Sequence, residues 1–537
     1  MPTVLLVGAE FEENLSLRYL AAAVQADGLR AELEPCNRPE HADRIVARAL
    51  ALKPLLIGLS VPFQTRAPEL LALAERLRDA GYDGHITVGG HFATFEYAAI
   101  LRDHPGVDSA VRHEGEDTLR ELCAALLAGE PLAGRSGLVV REGAGLNVGP
   151  ARKLPELDAL PWPDRRGEPQ RILGVLESPL LGSRGCYADC AFCCIYAYSE
   201  NAAGPRYRRR SVQAIVQEMV AEYHQRDIRL FIFHDDNFFL PNNKRNLERY
   251  TEMAERLRAA GLDDIALVVK CRPNDVEPEL FRVLQSMGVI RAYVGIETNS
   301  DEGLVSLNRR ITTEDNRRAL QVFEELGVYC SFNILLFDPE ATFEGVEANL
   351  AFMDTFAHHP FNFCRAEIYA GTPLKQVLAE QGRLQGGYLA WTYAMRDPRV
   401  ELLFRIFSVA WSSRNYKGDG VANLSMGVRF DSEVMRRFYP RCWDRAWQTE
   451  LVQTTTDINR DSVARLRQVA AFAATVDLRD AGAVRAFTLA TARKVARADL
   501  GFLRRIKAQR REMERRLGGE GASAMNRELD VRGLSEA

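Results

Sequence analysis

No stretch of the 537 residues is apolar for long enough to span a membrane, which takes about 20 residues. The opening run MPTVLLVGAEFEENL is apolar only briefly, and no basic stretch precedes it. It does not read as a secretory leader. Basic charge is not in excess: 69 Lys and Arg stand against 73 Asp and Glu, a net charge of −4. Broad nucleic-acid surfaces are ordinarily basic, so no nucleic-acid partner is expected. There is no internal repeat and no low-complexity tract. These absences point to a multidomain globular chain, expected in the cytosol without a membrane association. Hydrophobic residues make up 47%, enough for several cores. In that compartment the ten cysteines should be mostly reduced, and clustered ones read as metal ligands rather than disulfides.

Strand and helix patterns alternate through residues 1–135. Thr3–Val7, Leu55–Ser60, His85–Gly90 and Asp108–Arg112 read as strands, and Leu17–Gly28 and Pro68–Gly81 as helices. Such alternation predicts a doubly wound parallel sheet whose ligand sits at the carboxyl ends of the strands. Residues 136–171 read as an extended linker, with four prolines in PELDALPWPDRRGEPQ. A second series fills residues 172–384. Strands are predicted at Gly174–Gly182, Leu230–His234, Ala266–Cys271, Ala292–Glu297, Cys330–Phe337 and Phe363–Tyr369, with five helices between them. Six strands imply a partial (βα)6 barrel, with functional groups at the strand ends. Residues 385–537 read as a mainly helical region, irregular and aromatic over Gly386–Gly427, that caps the mouth of that barrel and shapes specificity. Trp391, Tyr393, Trp411 and Tyr416 line a pocket or fill a core. The basic run RRIKAQRREMERR reads as a solvated helix face.

Cys186-Tyr-Ala-Asp-Cys190-Ala-Phe-Cys193 lies just past the first strand of the second series. Three thiolates so close together suit one soft metal centre. Zinc is the alternative and would need a fourth ligand, which the adjacent Cys194 offers; the spacing is unusual for zinc. Neighbouring loop residues rarely point the same way, so Cys194 is expected to pack. GCYADCAFC after a strand resembles the CxxxCxxC signature of the radical S-adenosylmethionine (SAM) enzymes, including the aromatic Phe192 before the last cysteine. The resemblance implies a [4Fe–4S] cluster on Cys186, Cys190 and Cys193, with SAM on the open iron. It also implies SAM contacts. Asp236, or else Asp235, in His234-Asp235-Asp236-Asn237-Phe238 would meet the amino group; helix capping is the competing role for such aspartates. Arg272 and Arg309, or Arg310, would meet the carboxylate, and Glu297 the ribose. Ile368–Pro373 resembles a segment that closes the family's barrel, with Ala370 where proline is commoner.

Residues 1–125 resemble the cobalamin-binding domain that precedes some radical SAM barrels. The pieces are Asn14–Leu20, Gly58-Leu59-Ser60, Gly89-Gly90-His91-Phe92-Ala93-Thr94 and Glu114-Gly115-Glu116. The implied cobalamin contacts are Ser60, Gly89, Gly90, His91, Thr94, Glu114 and Gly115, the glycines admitting close backbone approach. The DxHxxG motif that supplies a cobalt-ligating histidine in cobalamin mutases is absent. The lower cobalt face would then meet the Pro62–Arg66 loop. The pairing implies a cobalamin-dependent radical SAM methyltransferase. One SAM would methylate the cobalt and a second would yield a 5′-deoxyadenosyl radical. Methylcobalamin would then methylate an unactivated carbon, or phosphorus, of a small molecule from natural-product biosynthesis. A flavodoxin or ferredoxin would donate the electron. Ring contraction, cyclisation and hydroxylation without methyl transfer are the enzymatic alternatives, and a non-catalytic cobalamin or cluster sensor is a third reading.

Overall fold

The structure, a computed structural model, describes residues 1–531. The chain forms two compact units. The first comprises Met1–Glu168, Ser183–Ala214 and Glu367–Tyr393; the second comprises Pro169–Gly182, Ile215–Ala366 and residues 394–531.

The first unit is built on β1 (Thr3–Gly8), β2 (Arg30–Pro35), β3 (Leu56–Ser60), β4 (His85–Gly89), β5 (Ser109–Val111), β6 (Leu138–Glu142) and β7 (Gly145–Val148). Their order is β2-β1-β3-β4-β5-β6-β7. The first five strands are parallel, and β6 and β7 add antiparallel at one edge. All six residues of β1 are buried, as a central strand with helices on both faces requires. Helices follow at Leu15–Ala26, Ala42–Leu52, Ala67–Asp79, His91–Asp103 and Glu116–Ala128. Strand order reverses between β1 and β3, so the ligand crevice opens at the carboxyl ends of these strands, at Gly8, Ser60 and Gly89. Residues 138–148, expected as linker, instead form the β6–β7 hairpin. Two short alternating runs flank Gly143-Ala144, and Gly143 turns the chain at φ +57°.

The second unit holds β8 (Arg171–Ile172) and β9 (Val175–Leu180). After β10 (Ser183–Gly185) and β11 (Tyr207–Arg209), which pair in the first unit, it continues with β12 (Leu230–Phe233), β13 (Ala266–Cys271), β14 (Val289–Glu297), β15 (Tyr329–Phe337) and β16 (Phe361–Arg365). The order β16-β15-β14-β13-β12-β9-β8 has six parallel strands and an antiparallel β8. Helices Val212–Arg226, Asn243–Ala259, Pro278–Ser286, Thr313–Leu326 and Phe343–Thr355 connect the parallel strands. This is the open half-barrel that the strand count predicts. Along β14 burial alternates: Ala292, Val294 and Ile296 are fully buried, while Arg291, Tyr293 and Glu297 share the other face.

The carboxy-terminal region differs from expectation. Gly386–Gly427 contains a regular helix, Pro398–Ala410, and helices Val421–Phe438, Arg445–Thr475 and Ala481–Val531 follow, the last broken at Gly518 (φ +73°). Helices Val421–Phe438 and Arg445–Thr475 close the amino-terminal end of the half-barrel, whereas Pro398–Ala410 packs at the carboxyl ends of β15 and β16, with Phe404 and Phe407 against Phe337 and Arg365 over Phe404. Tyr439 donates to the Leu173 carbonyl (2.8 Å), Arg437 to those of Asp263 (2.6 Å) and Ile265 (2.9 Å), and Asn459 to those of Ala357 (2.8 Å) and His359 (2.9 Å). Those carbonyls precede β9, β13 and β16. Val428, Phe430, Val434 and Met435 share one core with Leu230, Ala266 and Tyr329, the first residues of three strands. An open half-barrel leaves these apolar ends bare, and the stripe on Val421–Phe438 covers them. Ile506 and Met513 of the basic run are buried there too, so that run is an amphipathic helix. Trp411 is fully buried and donates to Ser462; Tyr393 is also buried, and Tyr416 is exposed. The aromatics of this region thus mostly fill core. Tyr388, Leu389 and Trp391 pack on the first sheet's core, which also holds Ala370.

Candidate functional site

The three cysteines lie on the loop between β10 and helix Cys194–Glu200. Gly185, directly before Cys186, has φ +82°, and a Cβ there would collide with the Arg206 carbonyl just ahead of β11. Only glycine permits this launch of the loop. The Ala188 amide donates to Cys186 Sγ (3.4 Å), the Cys193 amide to the Cys190 carbonyl (3.1 Å), and the Leu374 amide to the Ala191 carbonyl (2.9 Å). Cys190 is buried, and Cys186, Cys193 and Cys194 are half-buried. Burial, and then the thiols of Cys194 and Cys190, push the Cys193 thiol well above its ordinary range. A metal is what converts such sulfurs to thiolates. A thiol-only donor set on a braced loop fits an iron–sulfur cluster.

This hairpin is fastened to the nucleotide-type sheet by ion pairs. Arg184 lies 2.7 Å from Glu114 and 2.7 Å from Glu116, and Arg208 pairs with Glu114 as well. Arg184 also stacks over Tyr19 (4.8 Å). Burial draws the Arg184 guanidinium down, but Glu116 and Glu114 outweigh it and hold its pKa above the usual arginine range. Tyr198, on the helix after the cysteines, packs 4.2 Å from the His91 ring and 5.1 Å from the His113 ring. Phe63 lies parallel to His91 at 6.4 Å and 5.7 Å from Tyr369. The cysteine loop and the predicted corrin cradle therefore belong to one unit.

In the cradle, Gly90 has φ +104°, and its Cβ would come 2.9 Å from the Val61 carbonyl oxygen. At Gly89 the nearest atom to a Cβ would be 3.8 Å away, so the protein itself leaves that face open. This bare backbone at the strand ends, with Ser60 beside it on β3, fits a corrin. Burial, then His113, pushes the His91 pKa down to about 4. Two of the expected cofactor contacts also bind within the chain. Thr94 Oγ1 accepts from the His113 amide (2.8 Å), and Glu114 is held by two arginines. Tyr198, His113, Arg184 and Arg208 were not singled out from the sequence. Arg184 was within reach, since Arg-Gly-Cys sets a cation at the loop's mouth.

In the second unit the strand ends separate the two aspartates. Asp235 is buried and its Oδ2 accepts from the Gly182 amide (2.8 Å), whereas Asp236 is exposed. Neither caps a helix; Asn242 caps the one that follows, accepting from Arg245. Arg272, Glu297 and Arg309 come together. Arg309 donates to the Gly295 carbonyl, and Arg272 to the Arg309 carbonyl. Burial raises the Glu297 carboxyl, opposed by Arg309 and Arg272. Glu297 has φ +65°, a costly conformation for a residue with a Cβ. Asp275 braces the group, accepting from the Arg272 amide (3.0 Å) and the Asn237 side chain (3.1 Å). Arg310 is exposed.

Residues 2–123 match the family model of the B12 binding domain, and residues 180–348 that of the Radical SAM superfamily. An uncharacterised methyltransferase of Pyrococcus horikoshii is 28% identical over 54% of this chain and 62% of its own length. The anaerobic magnesium-protoporphyrin IX monomethyl ester cyclase of Rubrivivax gelatinosus is 24% identical over 60% of this chain and 59% of its own. These alignments thus span about three fifths of the relatives' length. The structure of OxsB, a cobalamin-dependent SAM radical enzyme solved with aqua-cobalamin and SAM bound, superimposes with a TM-score of 0.69 at 18% identity, covering 100% of this chain and 85% of that one. Among the described residues, no helix is long and apolar enough to cross a membrane.

Proposed function

We propose, for a chain that belongs to the radical SAM superfamily and carries a B12-binding domain, that it transfers a methyl group from SAM to an unactivated carbon or phosphorus of a small-molecule substrate. Its cofactors are a [4Fe–4S] cluster, SAM and cobalamin. Bound together, they supply a carbon radical from SAM and a methyl carrier. The protein's part is to position and to exclude water. Cys186, Cys190 and Cys193 hold the cluster. Asp236 receives the SAM ammonium, Arg272 and Arg309 its carboxylate, and Glu297 its ribose hydroxyls. Gly89, Gly90 and Ser60 admit the corrin.

The observation that carries the reading is the fastening of the cysteine hairpin to the cobalamin cradle. Arg184 and Arg208 on Glu114 and Glu116, with Tyr198 against His91 and His113, tie the radical centre's loop to the methyl carrier's domain. The likeness to a methyltransferase supports it, and the likeness to a cyclase keeps a non-methylating reaction as the second reading. A flavodoxin- or ferredoxin-type protein is proposed as the electron donor, and a natural product as the substrate. The test needs no substrate. Cluster- and cobalamin-loaded protein is given SAM and a strong reductant, and S-adenosylhomocysteine is measured. Methyl transfer predicts a stoichiometric burst that disappears when cobalamin is left out. 5′-Deoxyadenosine without any S-adenosylhomocysteine would favour the non-methylating reading.

A further inference from the structure

We infer that Glu324, His358 and His359 form a zinc site at the amino-terminal end of the half-barrel, separate from the cofactor residues. Glu324 stands in the last turn of helix Thr313–Leu326, ahead of β15. The two histidines stand in the turn ahead of β16. Glu324 Oε1 lies 2.8 Å from His358 Nε2 and 3.1 Å from His359 Nε2, and the three ligand atoms are all within 4.8 Å of one another. Arg272 and Glu297 stand at the opposite, carboxyl ends of β13 and β14 in the same sheet, with Arg309 beside them.

Two features distinguish this group from a chance ion pair. Consecutive residues in a turn ordinarily project apart, yet these two rings lie 4.3 Å apart and face one carboxylate oxygen. The turn is held in that shape from outside. Asn459 donates to the carbonyls of Ala357 and His359, and Arg429 to that of His358 (3.0 Å). The second feature is the far nitrogen of His359. Its Nδ1 lies 3.2 Å from Cys330 Sγ, which fixes the ring with Nε2 turned toward Glu324. Metal-bound histidines are oriented by such an outer partner on the other nitrogen.

Two imidazole nitrogens and one carboxylate oxygen are a zinc donor set, with water completing the tetrahedron. On binding, each ring keeps its single proton on Nδ1, and Nε2 turns its lone pair to the ion. His359 Nδ1–H then donates to the Cys330 sulfur. The ion would pin the helix before β15 to the turn before β16, which Asn459 and Arg429 already tie to the carboxy-terminal helices.

The test uses full-length protein with its cluster in place, dialysed against zinc chloride alone. Metal analysis should find about one zinc per chain beyond the cluster iron, as three protein ligands and a water predict. His358→Ala and Glu324→Gln should each weaken zinc binding at least about a hundredfold, since loss even of an outer partner costs ten- to a hundredfold. Both should leave the iron content unchanged. The Cys186→Ala/Cys190→Ala/Cys193→Ala protein should still take up zinc. Wild-type protein that retains no zinc, or His358→Ala protein that binds it as tightly as wild type, would overturn the site. Zinc lost only from the cysteine variant would place it on the cluster loop and overturn it equally.

Discussion

Glycine 90 and glycine 89 sit side by side, but a side chain does different things at each. Gly90 is required by the chain: φ is +104° and a Cβ would press on the Val61 carbonyl. Gly90→Val should destabilise the protein by about 1–3 kcal/mol through backbone strain and abolish cobalamin binding while iron stays near wild type. Gly89 is not required by the chain, since its nearest neighbour would be 3.8 Å from a Cβ. Gly89→Ala should leave the melting temperature unchanged and still weaken hydroxocobalamin binding, because the open face belongs to the ligand. Unchanged affinity would move the corrin away from β4. The aspartates divide in the same way. Asp236→Ala should weaken SAM binding with iron retained, whereas Asp235→Ala, which strips the Gly182 amide of its buried acceptor, should destabilise the protein first. Buried His113 adds a pH signature. Burial, then the Arg112 charge, lowers its pKa to about 4, against about 6.5 unfolded. Between those values the unfolded chain binds more protons, so stability falls as pH drops from about 6.5 to about 4, by up to about 1.4 kcal/mol per pH unit. His113→Gln should flatten the dependence of the urea midpoint on pH in that window; an unchanged slope would show that His113 does not contribute to it. Motif spacing picks most of these residues out along the chain, but does not show that Thr94 and Glu114 also brace it, Thr94 on the His113 amide and Glu114 on two arginines.

At the scale of elements, periodicity carried far. The six parallel strands fall within a few residues of their predicted bounds, with the five predicted helices between them, because each buries one continuous apolar face. β2 escaped notice because RAELEP carries two glutamates. Glu34 is buried all the same, paired with Arg44 and Arg48 of the next helix, a compensation invisible along the chain. The β10–β11 hairpin escaped because three-residue strands have no period to read; its arginines matter more than its length. Glu114→Ala would leave Arg184 and Arg208 largely buried with one acceptor fewer. It should lower the unfolding free energy by about 3 kcal/mol, the cost of breaking a buried pair from one side. The exposed Arg256–Glu252 pair should be worth under about 1 kcal/mol by the same measurement. A Glu114→Ala protein as stable as wild type would show that the clamp is dispensable.

Across the whole molecule the division into a nucleotide-type sheet, a half-barrel and a helical region was legible from alternating patterns. The placement of the helical region was not. The helix Val421–Phe438 begins inside the segment read as irregular, and nothing along the chain says which end of an open barrel its apolar stripe covers. Specificity determinants are therefore better sought at the carboxyl strand ends and on Pro398–Ala410, which packs there, than on the helices that close the other end. The proposed function turns on whether this chain moves a methyl group rather than merely generating a radical. Its most direct test follows the methyl of labelled SAM through turnover by the cluster- and cobalamin-loaded enzyme. Methyl transfer predicts label in the product, with 5′-deoxyadenosine and S-adenosylhomocysteine in nearly equal amounts. An unlabelled product, formed with 5′-deoxyadenosine and no S-adenosylhomocysteine, would contradict it.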